Sequence, residues 1–277
     1  MYNSLKNKVV FITGASSGIG YSTCLALSEF KVKIAFASRR KEKLKKLEQK
    51  LIKKNIDTCL LNFCVTDQRS IENAVKKVLR KWGKIDILIN NAGILNKGHF
   101  HKQSVKDIDY MTTVNYLGPA ILTKCVLSGM LKKKSGHIVN VSSIGGVIGF
   151  PYIASYSASK FALFGLTESL RREYLKSGVS FSTFCPGTVD TPMIADSMKR
   201  KDFKKITKHM SSEKAAKYII NDCIIKKKKE LIVGEIPSII SKLLKFFPNI
   251  VDFMIYHFYR IYHPIAKKEY FAIRNKK

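Results

Sequence analysis

Arginine is scarce in this sequence. Of 50 basic residues in 277 only nine are Arg, so the formal net charge of +30 against 20 acidic residues is carried by lysine. Lysine is a strongly hydrated point charge, whereas the planar fork that reads phosphates and bases belongs to arginine. The excess therefore argues against a nucleic-acid interface and leaves an anionic membrane face, an acidic substrate or plain solvated helix surface. Paired cysteines are missing too. Cys24, Cys59, Cys64, Cys125, Cys185 and Cys223 form no Cys-x-x-Cys pair and have no His at metal spacing. Free thiols in a reducing compartment and no metal site are expected. No stretch reaches eighteen uncharged apolar residues, so no conventional spanning helix is expected. An apolar strand begins within ten residues of Met1, which leaves no room for a signal peptide and makes the cytoplasm the expected location. A 45% hydrophobic content at a mean hydropathy of −0.06 excludes both a disordered chain and a polytopic membrane protein.

Short apolar runs alternate with longer amphipathic segments over the first 235 residues. Strands are predicted at 8–13, 33–38, 58–63, 85–90, 137–142, 179–184 and 230–233. Helices are predicted at 19–30, 40–54, 68–82, 104–131, 155–176 and 211–226. That alternation implies an α/β fold, a doubly wound parallel sheet covered by helices on both faces, with ligands beyond the carboxyl ends of its strands. The expected division is a catalytic domain over 1–235 and a helical extension over 236–277.

The first strand runs into Thr13-Gly14-Ala15-Ser16-Ser17-Gly18-Ile19-Gly20 and then a helix. Glycines allow a tight turn and close approach of the backbone to a pyrophosphate, whose charge a helix N-terminus favours. The spacing is Gly-x-x-x-Gly-x-Gly, so the turn alone is weak evidence; its place at the head of the alternating pattern points to a dinucleotide. At the end of the second strand, where a carboxylate would accept from an NAD ribose, the chain reads Ser38-Arg39-Arg40. Guanidinium groups there accommodate a 2′-phosphate, which favours NADP(H).

Tyr156 and Lys160 stand four apart on a predicted helix, one turn from each other on one face. A nearby ammonium is expected to lower the phenol pKa and make a better general acid–base. The preceding strand ends in Asn140-Val141-Ser142-Ser143, hydroxyls placed to polarise a substrate oxygen.

With these residues in hand, the sequence closely resembles the short-chain dehydrogenase/reductase family. The matching segments are Thr13-Gly14-x-x-x-Gly18-x-Gly20, Asn90-Asn91-Ala92-Gly93, Asn115 in Thr113-Val114-Asn115, Ser143 thirteen residues before Tyr156, Tyr156-x-x-x-Lys160, and Pro186-Gly187 with Thr191. The resemblance spans residues 8–233. It implies that Tyr156 moves the proton on the substrate oxygen, Lys160 holds the nicotinamide ribose, Ser143 bonds the substrate oxygen and Asn115 anchors a water relay to Lys160. It further implies that Ser16, Ser17, Ile19 and Asn91 to Gly93 line the cofactor site. Pro186, Gly187, Val189 and Thr191 would serve the nicotinamide end, and Val65 would offer backbone groups to the adenine. A homodimer or homotetramer is implied by resemblance alone. One departure stands out: Cys64 occupies the position where the family usually carries Asp toward the adenine.

The expected activity is NADPH-dependent interconversion of a carbonyl and a secondary alcohol on a hydrophobic small molecule. A 3-oxoacyl-thioester reductase and a catalytically idle NADP-binding scaffold are the alternatives. Substrate walls are expected at 145–152 and 188–208, His99 and His101 in a solvent-facing loop, and Cys185 as a buried apolar residue. The extension reads IPSIISKLLKFFPNIVDFMIYHFYRIYH, with Pro237, Pro248 and Pro264 cutting it into short helices. Peripheral membrane contact through 236–263 and packing on the subunit or over the pocket are both open readings of it.

Overall fold

A strand read without polar alternation should be covered on both faces, and all five residues of β1 (Val9–Thr13) are buried. The computed structural model describes residues 5–195, 209–234 and 246–262, with side chains to 257 in the last of these. In it β1 is joined by β2 (Lys33–Ser38), β3 (Thr58–Asn62), β4 (Ile87–Asn90), β5 (Gly136–Val141), β6 (Val179–Pro186) and β9 (Glu230–Val233). They form one seven-stranded sheet in the order β3-β2-β1-β4-β5-β6-β9, and every pairing is parallel. A small parallel pair, β7 (Val189–Asp190) with β8 (Met210–Ser211), was not legible in the sequence.

The helices are α1 (Gly18–Leu27), α2 (Lys41–Ile52), α3 (Gln68–Trp82), α4 (Val105–Thr112), α5 (Gly118–Lys132), α6 (Ala154–Glu173), α7 (Ser212–Tyr218) and α8 (Pro248–Tyr262). Period-two alternation in β1 sends Val10 and Ile12 into a core with Leu27, Leu44, Leu47 and Leu51 of α1 and α2. Val9 and Phe11 face the opposite core, with Ile71 and Val75 of α3 and Leu122 and Val126 of α5. The lysine-rich α2 therefore holds to the sheet through Leu44, Leu47 and Leu51, all fully buried, each worth about 1.5–3 kcal/mol. At α3 the Asp67 carboxylate accepts from the Arg69 and Ser70 amides, and Gly83 ends the helix at φ +69°.

The predicted helix at 104–131 is divided. Thr113–Leu117 forms a π-turn between α4 and α5, and a second one, Ile219–Ile225, follows α7. The segment Val105–Lys132 is long and apolar enough to cross a membrane by length and composition. Its apolar side is spent on the sheet, through Leu122, Val126, Leu127 and Met130.

In the extension, Pro248 opens α8, where its missing N–H costs no helical hydrogen bond. Val251 and Ile255 of α8 pack on Val147, Ile148, Cys185 and Ile232. Residues 196–208, 235–245 and 263–277, with Pro237, Pro264 and part of the second expected substrate wall, lie outside the described residues.

One core residue gives a stability test. His137 on β5 is buried, shares a 3.0 Å hydrogen bond between Nε2 and Ser182 Oγ, and its pKa is brought down to about 4 by burial. The folded chain thus refuses a proton that the unfolded chain accepts near 6.5. The neutral ring's contribution, about 3 kcal/mol by the linkage relation, is present above pH 6.5 and is lost as pH falls toward 4. Urea midpoints should drop across that interval, and His137→Gln should flatten the drop. A parallel fall in both proteins would contradict this.

Candidate active site

The strand order reverses between β1 and β4, and the crevice beyond their carboxyl ends is where a ligand belongs in such a sheet. Asn91 closes the floor of this crevice. Its Nδ2 donates to the Thr13 carbonyl at 2.9 Å, while Thr13 Oγ1 accepts from the Asn91 and Ala92 amides at 3.1 Å each. Gly14, at φ +71°, lies so close that a Cβ would stand 2.9 Å from the Ala92 Cα. Gly18, at φ +57°, has Thr191 Cγ2 2.8 Å from where its Cβ would be. Both positions need glycine for conformation and for space. The turn is a cradle of backbone with no Cβ at Gly14 or Gly18.

From this turn a cleft of about 1150 Å3 runs to the end of β5 and beyond. Its first end is formed by Ser16, Ser17, Ser38, Arg39 and Arg40, with Ile19, Cys64 and Val65 alongside. Arg40 folds back over the turn: Nη2 donates to Ser16 Oγ at 2.7 Å and to Ser17 Oγ at 2.6 Å, and Nε donates to Ser16 Oγ at 3.0 Å. Arg39 instead donates to the Tyr110 hydroxyl of α4. Asn62 fixes the bend by donating to the Ser38 and Arg39 carbonyls at 3.0 and 3.1 Å. Among the described residues no carboxylate pairs with either guanidinium. Two cations and three serine hydroxyls line this end without a counter-charge among the described residues. Cys64 turns its Sγ to Thr66 Oγ1 at 3.0 Å.

The middle of the cleft is walled by Asn91, Ala92 and Gly93 on one side and by Pro186, Gly187, Val189 and Thr191 on the other. Beyond it, Ser143, Tyr156 and Lys160 share one surface. Tyr156 and Lys160 occupy the first turns of α6, which begins at Ala154. Ser143 follows β5 with extended backbone, and its Oγ accepts from the Gly145 amide at 3.1 Å. The neighbouring Ser142 is not its substitute, because its hydroxyl is spent on the Lys160 carbonyl at 2.9 Å.

Electrostatics depart from one expectation. Burial pushes the Tyr156 phenol above its ordinary pKa, and a hydrogen bond with Ser143 offsets only part of this. Lys160 does not lower it here: its Nζ donates to the Val141 carbonyl at 2.9 Å and stands 5.9 Å from the phenol ring centre. Burial brings the Lys160 ammonium itself down to about 8. Desolvation outweighs the hydrogen bond with Ser143, so Tyr156 is held as the proton-bearing phenol.

Asn115 and Gly20 lie behind the cleft wall. Asn115, fully buried in the π-turn, accepts from the Ile94 amide at 2.9 Å and donates to the Ile94 carbonyl and Ser159 Oγ at 3.0 Å each. Ser159 in turn donates to the Tyr156 carbonyl at 2.7 Å. The amide thereby ties the loop after β4 to the helix that carries Tyr156, and π-turns collect at such sites. Asn90 is bonded to Asn140 Oδ1 at 2.8 Å inside the sheet.

At the far end, Phe150, Pro151 and Tyr152 from the first expected wall and Met193 and Ile194 from the second line the cleft. His99 corrects an expectation. It is half-buried, its ring edge-on to Tyr152 at 4.9 Å, whereas His101 is exposed. Sequence reasoning missed Tyr110 and Ser159. Ser159 adjoins Lys160 and could have been weighed, nothing in the sequence ties Tyr110 to the site, and Met254 and Ile255 of α8 line the cleft as the reading of the extension packed over the pocket would have it. Cys185 is buried, and burial pushes its thiol up to about 12, consistent with an apolar residue.

Among the described residues no cluster of His, Cys, Asp or Glu could hold a metal ion. The glycine cradle, the cleft's size and the cationic end fit a dinucleotide.

The sequence model of the short chain dehydrogenase family matches residues 8–202. A dehydrogenase/reductase SDR family protein 7-like of Drosophila melanogaster is 33% identical over 254 residues, 88% of this chain and 77% of that protein. A 3-oxoacyl-acyl-carrier-protein reductase of Thermotoga maritima is 36% identical over 191 residues, 68% of this chain and 77% of that one. The crystal structure of a short chain dehydrogenase/reductase from Burkholderia phymatum in complex with NAD superposes with a TM-score of 0.76 at 23% identity, covering 84% of this chain and 90% of that one. At that identity the likeness is one of fold.

Proposed function

The chain belongs to the short chain dehydrogenase family, an oxidoreductase family that uses a nicotinamide cofactor on small molecules, and from that premise we propose that it is an NADPH-dependent reductase of a carbonyl on a hydrophobic substrate. The observation that carries the reading is the pairing, in one cleft, of an uncompensated Arg39/Arg40 end with a Ser143–Tyr156–Lys160 end in which Tyr156 and Lys160 are buried. The catalytic domain over 1–235 holds both ends, with 236–277 as an accessory extension.

The residues divide the work by their chemistry. Ser16, Ser17 and Arg40, with Arg39 beside them, supply donors and positive charge for a 2′-phosphate, and Ser38 leaves no carboxylate to repel it. The glycine turn and the α1 N-terminus take the pyrophosphate. A nicotinamide held in this cleft would supply the hydride for the carbonyl carbon. Ser143 donates to the carbonyl oxygen, where negative charge develops. Tyr156, kept as the phenol by burial, gives that oxygen its proton. Lys160, still an ammonium below about pH 8, would orient the ribose hydroxyls as their donor. Asn115 holds the loop and helix in register, and a water relay through it to Lys160 would restore the proton. Phe150, Met193 and Met254 favour an apolar substrate body.

A second reading, 3-oxoacyl-thioester reduction, draws on the Thermotoga relative and on a +30 surface that would attract an acidic carrier. One screen separates the two. Nicotinamide absorbance is followed with ketosteroids, retinal, simple ketones, 3-ketosphinganine and 3-oxoacyl thioesters, each with NADPH and NADH. Turnover of hydrophobic ketones with a preference for NADPH is expected, selective turnover of thioesters gives the second reading, and no oxidation with any carbonyl would refute both.

A further inference from the structure

A helix packed against a protein ordinarily turns its polar side to water. α8 does not. Its inward side, Val251 and Ile255, is committed to the core, and Met254 and Ile255 line the cleft. Its outward side carries Ile250, Phe253 and Tyr256, about half exposed or more, and the preceding Phe246 is 78% exposed. Positions 250, 253 and 256 follow one another at spacings of three along the helix, so they lie on one stripe, and Phe246 precedes it in the chain. Asp252 is the one acidic residue in the helix.

Apolar side chains on both faces call for a nonpolar phase outside as well as a core inside. The charge of this stretch of sequence says which phase. Residues 236–277 carry eight Lys and Arg against two Asp and Glu, within a chain of net charge +30. Phenylalanine and tyrosine flanked by basic residues suit the headgroup boundary of an anionic bilayer. A second copy of this chain would meet like charge instead.

We propose that α8 docks the protein on an anionic lipid surface. Met254 is both half-exposed on α8 and a wall of the cleft, so the mouth beside it opens at the lipid contact and admits the substrate from there. This loading route rests on the carbonyl-reductase reading; the docking does not.

The test uses the full chain sedimented with phosphatidylcholine vesicles, with and without phosphatidylserine. Binding should need phosphatidylserine and weaken with salt. Phe246→Ser with Phe253→Ser should lower the affinity about tenfold or more, while the thermal midpoint and the turnover of a water-soluble ketone stay as in the parent. Three results would overturn the proposal: no binding to either vesicle, equal binding by parent and variant, or a variant that light scattering shows to be monomeric where the parent is dimeric. In the last case a second copy covers the face. Loss of ketone turnover in the parent with vesicle binding intact would sink the reductase reading and leave the docking standing.

Discussion

Tyr156→Phe should lower turnover by about a thousandfold while NADPH affinity changes by less than about threefold. The substitution removes one oxygen from a site whose shape is set elsewhere. Asn115 and Ser159 hold the backbone of the helix, and Lys160 is anchored to the Val141 carbonyl. Nothing in the cofactor cradle depends on the phenol oxygen. The ring fills the same space, so the fold should be unchanged. What is lost is the proton donor, and with burial excluding bulk water from Tyr156, 8% exposed, no solvent proton replaces it readily. Single-turnover absorbance and cofactor fluorescence titration measure the two quantities separately. Parent-like turnover would remove Tyr156 from the chemistry. A parallel collapse of cofactor binding would make it a structural residue.

The second large effect concerns cofactor choice. Arg40 spends its hydrogen bonds on Ser16 and Ser17 and faces no carboxylate among the described residues, so its charge is available to a phosphate. A hydrogen bond to a charged group contributes about 1.5–3 kcal/mol, hence Arg40→Ala should raise the KM for NADPH by about 10- to 100-fold and leave that for NADH nearly unchanged. Arg39→Ala should follow in the same direction by less, because Arg39 is turned toward Tyr110 across the cleft. The measurement is the ratio of kcat/KM for the two cofactors at fixed ionic strength, since exposed charges are screened by salt. An equal loss with both cofactors would assign Arg40 to the turn's stability. No change with either would leave the 2′-phosphate without a reader.

Much of this site was legible because its elements are local. The glycine turn, Ser143, and Tyr156 with Lys160 each sit within a few residues of a strand end or on one helical turn, so spacing alone places them at the same edge of the sheet. The sheet itself followed from apolar runs alternating with amphipathic helices such as α2. What sequence could not carry is environment and long-range reach. The shift of Tyr156 was expected with the wrong sign because the cost of its burial is a property of the packed site. The π-turn around Asn115 leaves the apolar pattern of Val105–Lys132 unbroken. Tyr110 meets Arg39 from 71 residues away, and the sequence left packing over the pocket as one of two open readings of the segment whose Met254 and Ile255 line the cleft. His99 reads as a loop residue until Tyr152 lies edge-on against it.

The central claim, that this cleft reduces a carbonyl with a proton from Tyr156, is tested most directly by isotope transfer. NADPH carrying deuterium on the transferable C4 position is mixed with a hydrophobic ketone, and the alcohol is analysed by mass spectrometry. The account predicts one deuterium on the carbinol carbon, with product formation lost in Tyr156→Phe. An alcohol without deuterium, or labelled alcohol formed equally fast by the variant, would contradict it.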